Sequence, residues 1–351
     1  MMTINRLANQ PLMIPQTAVW YLTDLAEFKG RQEMFARQAP QRLQALREHA
    51  IVESTVSSNR IEGINIDGDR VATLVFGRPS LRDRDEEEVR GYRNALNLIH
   101  QKGPALKLDE NAVLNLHRLV RGEIWDAGKY KEQDSNIIQR YPDGRERIRF
   151  RTVAAAKTAD AMSELLGHWH ACIKERHVHP LIAMVVFNLD FLCIHPFRDG
   201  NGRVSRLLML LMCYHLGYEV GRFISLERLI EENKERYYET LEASSQGWHE
   251  GTNDPWPYVY FLLYLLKTAY KEFEKRVGET ALPRGAKTEM VQHMIESFTG
   301  EFTLGELQRA CPLVSQEMVR LVLKEMKAAG QVECLGRGPG ARWKRKDRPQ
   351  N

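Results

Sequence analysis

Ile194-His195-Pro196-Phe197-Arg198-Asp199-Gly200-Asn201-Gly202-Arg203-Val204-Ser205-Arg206 decides how this chain is read. It sets an imidazole, a carboxylate, two glycines around an asparagine and several arginines between two apolar runs, Leu181 to Phe187 before it and Leu207 to Met212 after it. Polar groups in such a place need partners. Pro180 suits the first turn of an upstream helix, and Pro196 disfavours helix at His195, so that helix should end there. A second helix should start near Asn201. Gly200-Asn201-Gly202 then lies at its N-terminus, where residues tolerant of positive φ can aim successive N–H groups one way and form an anion nest. The helix dipole adds to this. Arg203 and Arg206 are three apart and share a face. Two guanidiniums and a nest exceed what one carboxylate ligand requires and suit a polyphosphate. Asp199 is placed to hold Mg²⁺ among phosphate oxygens, and His195 to act as a general base near neutral pH. Phe197 should plug the loop into the core. Taken singly, a histidine at a helix end is usually structural and Gly-Asn-Gly is an ordinary turn; their conjunction favours a phosphate site.

Residues 195 to 206, His-Pro-Phe-Arg-Asp-Gly-Asn-Gly-Arg-Val-Ser-Arg, resemble the signature of the Fic family, H-x-F-x-[D/E]-G-N-G-R-x-x-R, without a mismatch. The resemblance extends over roughly residues 50 to 280. It implies a mainly α protein: a Fic-type helical domain with a small β-hairpin flap. It also implies transfer of AMP from ATP to a Ser, Thr or Tyr hydroxyl of a protein, with self-modification. By the same resemblance His195 would deprotonate the hydroxyl and Asp199 would hold Mg²⁺ on the α- and β-phosphates. Gly200, Asn201 and Gly202 would supply the nest, Arg203 and Arg206 would grip the β- and γ-phosphates, and Val204 and Ser205 would complete the nucleotide-binding run.

Composition is that of an ordinary globular protein. In 351 residues, long enough for two or three domains, 43% are hydrophobic and 27% charged. A net charge of +4 excludes a polybasic nucleic-acid binder. Five scattered cysteines (Cys172, Cys193, Cys213, Cys311, Cys334) form no disulfide framework and point to free thiols in a reducing compartment. The N-terminus lacks a basic region followed by an apolar core, and no apolar run approaches the ~20 residues of a membrane span. A cytoplasmic protein without a membrane partner is expected.

Residues 1 to 18, with Pro11 and Pro15, read as an extended lead-in, followed by helical periodicity from Val19 to Ala50. Ser58-Asn59-Arg60-Ile61-Glu62-Gly63 puts Ser58 and Glu62 four apart on one helical face, with Gly63 able to end the helix. By itself this is a surface helix with a cap. It also resembles the family's inhibitory motif, [S/T]-x-x-x-E-[G/N], which implies that Glu62 pairs with Arg206 and takes the γ-phosphate position. A guanidinium held by a protein carboxylate cannot also hold a phosphate. Helices follow from Arg84 to Gln101, where Glu86-Glu87-Glu88 reads as a solvated face, and from Asn111 to Glu123. Ile137-Ile138, a Tyr141-Pro142-Asp143-Gly144 turn and alternating Arg147 to Phe150 suggest a hairpin. In the family a flap here registers the target segment by strand addition. Thr158 to Glu175 is helical. His168, His170, His177 and His179 lack a metal-binding spacing. Leu226 to Gln246 reads as one helix, and its Tyr237-Tyr238 resembles the family's adenosine-side segment, in which Tyr237 would touch the nucleotide. Two aromatics packed in a core are the plainer alternative. An amphipathic, aromatic-rich stretch from Pro255 to Val277 should close the domain.

After a linker at Leu282 to Gly285, helices over 288–298, 304–310 (capped by Thr303) and 315–329 (capped by Ser315) precede two short strands, 331–335 and 341–344. The order resembles a winged helix-turn-helix. From Arg284 onward there are 12 Lys and Arg against 8 Asp and Glu, with Arg337, Arg342, Lys344, Arg345, Lys346 and Arg348 on the wing and tail. That patch suits phosphates of DNA, and a protein-docking or oligomerisation module is the other use of such a fold. The expected organisation is an N-terminal helical region (1–66) bearing the inhibitory helix, a catalytic domain (67–280) and a winged helix (284–351). The leading expectation is an ATP- and Mg²⁺-dependent protein adenylyltransferase autoinhibited by Glu62. The alternatives are removal of AMP from modified proteins by the same site, or a DNA-binding regulator with a nucleotide-sensing site. A homodimer and a DNA partner stay open.

Overall fold

Fourteen consecutive buried residues, Leu181 to Ile194, form the central helix of the molecule. A helix so largely apolar on every side can only be stable inside a core, and other helices of this core pack about it. The computed structural model describes residues 1–351 except 11–12, 39, 65–66, 78–80, 141–142, 279–285, 299, 312–313, 337, 339–340 and 347–351. The described chain is mainly helical. In order it forms α1 (Thr3–Asn9), α2 (Gln16–Gln38), α3 (Pro40–Ile61), α4 (Gly68–Phe76), α5 (Arg84–Lys102) and α6 (Glu110–Arg121). An antiparallel hairpin follows, β1 (Asn136–Arg140) and β2 (Glu146–Arg151). Then come α7 (Ala155–Glu175), the central α8 (Pro180–Ile194), α9 (Asn201–His215), α10 (Leu226–Glu232), α11 (Lys234–Ser245) and α12 (Trp256–Gly278). One hydrophobic core runs from Met2 to Val277 through these helices, α4 excepted.

The C-terminal residues form a second core, with Val291, Leu307, Val322 and Val332 among its members. It is built from α13 (Ala286–Ser297), β3 (Phe302–Thr303), α14 (Leu304–Ala310), α15 (Gln316–Ala328), β4 (Val332–Leu335) and β5 (Arg342–Arg345), with strand order β3-β5-β4. Thr303 and Glu306 make a capping box at α14, and Ser315 caps α15. β3 is too short to announce itself in sequence; it exists through its pairing with Arg342 and Trp343 of β5. The expected linker at 282–285, and Arg337 and Arg348 of the basic patch, lie outside the described residues.

Three expectations are corrected. The lead-in is not extended throughout: α1 forms because the backbone N–H groups of Thr3 and Ile4 donate to the buried Asp190 carboxylate of α8 at 3.0 and 2.8 Å. A helix N-terminus seated on a buried carboxylate is a tertiary cause that local periodicity does not carry. The single helix expected from Leu226 to Gln246 is two, broken at Asn233 (φ −119°, ψ 31°). The Asn233 side chain donates to the Leu229 carbonyl at 2.9 Å and so competes with the backbone ladder. The third concerns the acidic run. Glu86 and Glu88 are not solvated; both are buried, each held by arginine. The hairpin is present, with Asn136 opposite Arg151 and a bulge between Ile137 and Ile138; turn residues 141–142 lie outside the described residues. All five cysteines are free. No helix among the described residues is long and apolar enough to cross a membrane.

Candidate active site

His195 caps α8 in the left-handed region, φ 52° and ψ 62°, sparsely populated for any residue but glycine. The loop is held there from within. Asn201 donates from its side-chain amide to the Phe197 carbonyl at 2.7 Å and accepts from the Phe197 N–H at 2.9 Å. Phe197 is fully buried, as expected of a plug, and stacks on His117 with ring centroids 3.7 Å apart. His117 Nδ1 accepts from the Gly128 N–H at 3.0 Å, so its proton sits on Nε2, which donates to the Asp199 carbonyl at 3.0 Å. Gly200, φ 83°, starts α9. Val204 and Ser205 are buried, the serine donating to the Gly202 carbonyl at 2.8 Å.

α3 ends where its glycine sits. Gly63 has φ 86°, and the N–H groups of Gly63 and Ile64 return to Arg60 and Asn59 at 3.0 Å each, the pattern of a Schellman cap. This ending delivers Glu62 to the N-terminus of α9. Its carboxylate lies 2.8 Å from the Arg206 guanidinium, which also donates to the Ser58 hydroxyl and carbonyl, each at 2.9 Å. A Cβ on residue 202 would fall 2.2 Å from Glu62 Oε1. The glycine leaves room for the carboxylate where it lies. Burial opposes the Arg206 charge, but Glu62 raises its proton affinity above the ordinary arginine range.

Arg203 takes a different place. Its guanidinium is buried against Glu88 at 2.6 Å, with the Asn59 side chain at 3.5 Å. Glu88 also accepts from Arg121 at 2.8 Å and Arg84 at 3.0 Å. Arg121 in turn donates to Asp199 Oδ2 at 2.6 Å, while Asp199 Oδ1 accepts from the Gly200 N–H at 2.6 Å. Burial would raise the Asp199 pKa, but Arg121 and Arg203 bring it below the usual carboxylate value. Asp199 remains half-exposed at the mouth of the nest. Among the described residues no three His, Cys, Asp or Glu side chains gather as a metal cage. Asp199 offers one carboxylate, which fits a Mg²⁺ that takes most of its ligands from phosphate and water. His170 is turned to the Leu108 carbonyl at 2.9 Å, away from this site.

His195, Gly202, Arg206, Glu62 and Tyr237 line one cleft of about 240 Å³, shared with Ile137, Arg149 and Phe150 of the hairpin and with Tyr238 and Ser245 of α11. Tyr237 is both cleft wall and core: it is buried, with its ring 6.0 Å from those of Tyr258 and Phe261. Burial, then the nearby Lys131 charge, lowers the His195 pKa to about 4. The imidazole is therefore neutral at pH 7. Arg149 fastens the hairpin to α11 through Glu242 at 2.9 Å and the Tyr238 carbonyl at 2.5 Å.

The Fic/DOC family matches residues 107–213. Similar curated proteins include "Protein adenylyltransferase Fic" of Nematostella vectensis, 24% identical over 211 residues (57% of this chain, 44% of the relative). Its namesake in Aedes aegypti is 22% identical over 232 residues (63% and 41%). The chain thus spans less than half the length of these relatives. Among solved structures, a Fic family protein from Desulfovibrio desulfuricans G20 superposes with a TM-score of 0.61 at 22% identity, covering 98% of this chain and 100% of that one. A Fic domain containing signaling protein from Bacteroides thetaiotaomicron VPI-5482 gives 0.61 at 22% identity, covering 74% and 98%. At these identities the structural likeness is one of fold. The segment that matches the Fic/DOC family holds the His195 loop and the Gly200–Gly202 turn, and the fold around it is like that of the Fic family structures.

Proposed function

We propose that this protein is an adenylyltransferase that moves AMP from ATP to a hydroxyl side chain of a protein, and that Glu62 holds it at rest. One observation carries the reading: the chain lays its own carboxylate on Arg206 at the N-terminus of α9, over a glycine that leaves room for it. A carboxylate held by a guanidinium beside a helix N-terminus marks an anion site, and an occupant tethered to the chain would inhibit by position. The names of the curated relatives support the same chemistry.

In this reading Glu62 must leave Arg206 before a γ-phosphate can be held there. Neutral His195 takes the proton of the target hydroxyl. The oxygen attacks the α-phosphorus in line, a new P–O bond forms, the bond to the β-phosphate oxygen breaks, and pyrophosphate departs. The nest at Gly200 to Gly202 and Arg206 stabilise phosphate charge without moving, which is where most of the rate would arise. Mg²⁺ on Asp199 would neutralise α- and β-phosphate charge. For that Asp199 must share oxygens now engaged by Arg121 and the Gly200 N–H.

Intact mass after incubation with ATP and Mg²⁺ tests this. The Glu62→Gly protein should gain one nucleotide monophosphate or add it to a protein acceptor far faster than the wild type, and adding His195→Ala should abolish the gain. No increment with any nucleoside triphosphate would overturn the assignment. Glu62 in the same cleft as His195 also supports a water-directed variant that removes AMP; incubating wild type with AMP-modified protein separates the two. The C-terminal module, read as a winged helix-turn-helix, supports a DNA partner through exposed Arg320, Lys324, Arg342 and Lys344. A gel shift lost in Arg342→Ala/Lys344→Ala would favour it.

A further inference from the structure

Lys131 lies between α6 and the hairpin and is 6% exposed. A lysine so placed is costly unless its ammonium is well partnered. Its Nζ donates to the Ile194 carbonyl at 3.2 Å and to Thr152 Oγ1 at 2.7 Å. Its backbone N–H donates to the Pro196 carbonyl at 2.9 Å. One residue therefore grips the peptide on both sides of His195. The Thr152 hydroxyl passes the chain on, donating to the Ser135 carbonyl. Ser135 is the residue before β1 and Thr152 the residue after β2, so the same ammonium also closes the base of the hairpin. Burial brings the lysine pKa down to about 8, with Asp134 opposing, which keeps most of the population charged at neutral pH. Lys131 is not among the residues lining the cleft, so it acts through others.

We propose that Lys131 is a positioning residue that locks the β1–β2 hairpin to the His195 loop, so that the strand presenting a target segment and the imidazole facing it are set by one side chain. The linkage of the two segments stands on these hydrogen bonds alone; its consequence for catalysis rests on the adenylyltransferase reading. A lysine serving only local packing would loosen its own turn when replaced, and would not loosen two segments that meet nowhere else through it.

Backbone hydrogen exchange of the full chain distinguishes these. Lys131→Met keeps the length and removes the donors. It should speed exchange by about tenfold or more, the loss of one well-made charged hydrogen bond, in both 136–151 and 194–200. Thr152→Val cuts only the hairpin side and should speed exchange in 136–151 while leaving 194–200 as in the wild type. Acceleration in only one segment of Lys131→Met, or in neither, overturns the proposal. If Lys131→Met does not fold, unchanged hairpin exchange in Thr152→Val overturns it and accelerated exchange supports it. In the Glu62→Gly background, Lys131→Met should lower kcat by about tenfold or more with the ATP dissociation constant within about twofold; a loss explained by weaker ATP binding counts against a positioning role. Should Glu62→Gly itself transfer no AMP, the enzymatic reading fails, and the exchange data still decide for or against Lys131.

Discussion

Gly202 concentrates the conflict on which the site is built. The space above it accommodates a carboxylate of the same chain, and in the proposed function the same space would seat a phosphate oxygen. A methyl group there would sit 2.2 Å from Glu62 Oε1, so Gly202→Ala must displace the Glu62 carboxylate from its present place. Displacement alone does not create activity, because the methyl group also fills the nest. Gly202→Ala is therefore expected to show no gain in AMP transfer and to bind ATP at least about tenfold more weakly than Glu62→Gly, roughly 1.4 kcal/mol; calorimetric titration beside labelled transfer checks both. A gain comparable to that of Glu62→Gly would mean the nest is not where phosphate binds. At this scale the sequence was legible where the chemistry was contiguous. His195, Asp199, Gly200 to Gly202 and Arg206 stand within twelve positions, and the structure brings His195, Gly202, Arg206 and Glu62 to one cleft. Glu88, Arg121 and Lys131 were not legible. Glu88 and Arg203 are separated by 115 positions, and an acidic run on a helix is ordinarily solvated. Only the buried arginines opposite show why this one is not.

At the scale of elements, α3 places more than one contact on Arg206, and in the proposed function it would act as a latch. Ser58 accepts two of the hydrogen bonds from that guanidinium and Glu62 the third, and Ser58 is fully buried. Ser58→Ala removes the hydroxyl and spares the carbonyl and carboxylate. A net hydrogen bond of this kind is worth about 0.5–1.5 kcal/mol. Release of α3 should therefore become roughly two- to tenfold easier, with basal AMP transfer rising by that factor and staying well below Glu62→Gly. An unchanged basal rate would leave Glu62 as the sole catch. That Ser58 and Glu62 share a helix face ending at Gly63 was readable from a four-residue spacing and a glycine, because a helix converts spacing into a face; their meeting with Arg206 was expected only from the family resemblance. The partition of residues 226–245 into α10 and α11 was not, since one asparagine side chain bonding to Leu229 decides it.

Across the whole molecule, three histidines from separate elements are enclosed in the large core or its rim: His100 at the end of α5, His117 in α6 and His195 after α8. Burial is the largest cause in each case, bringing their pKa values to about 3, 4 and 4. All three are neutral in the folded protein at pH 7. In the unfolded chain each returns to about 6.5. Below that pH the unfolded chain binds protons that the folded one refuses, so stability falls with pH. Their contribution is complete above about pH 6.5 and is lost progressively as pH drops toward about 4. Carboxylates whose pKa is lowered in the fold act later: Glu86 through its hydrogen bond to Arg70, and Asp199 through Arg121 against the effect of burial. Their support is present above the ordinary carboxylate value and disappears only below it. The urea midpoint should therefore decline between pH 6.5 and 4.5, before carboxylate protonation dominates, and His100→Phe should flatten part of that decline. His100 suits this test because its partners are the Tyr214 hydroxyl and a backbone contact to Arg222, remote from the nest. A midpoint constant from pH 7 to 4.5 would mean that these imidazoles take up protons in the folded state, and that His195 is more open to water than its place at the end of α8 implies.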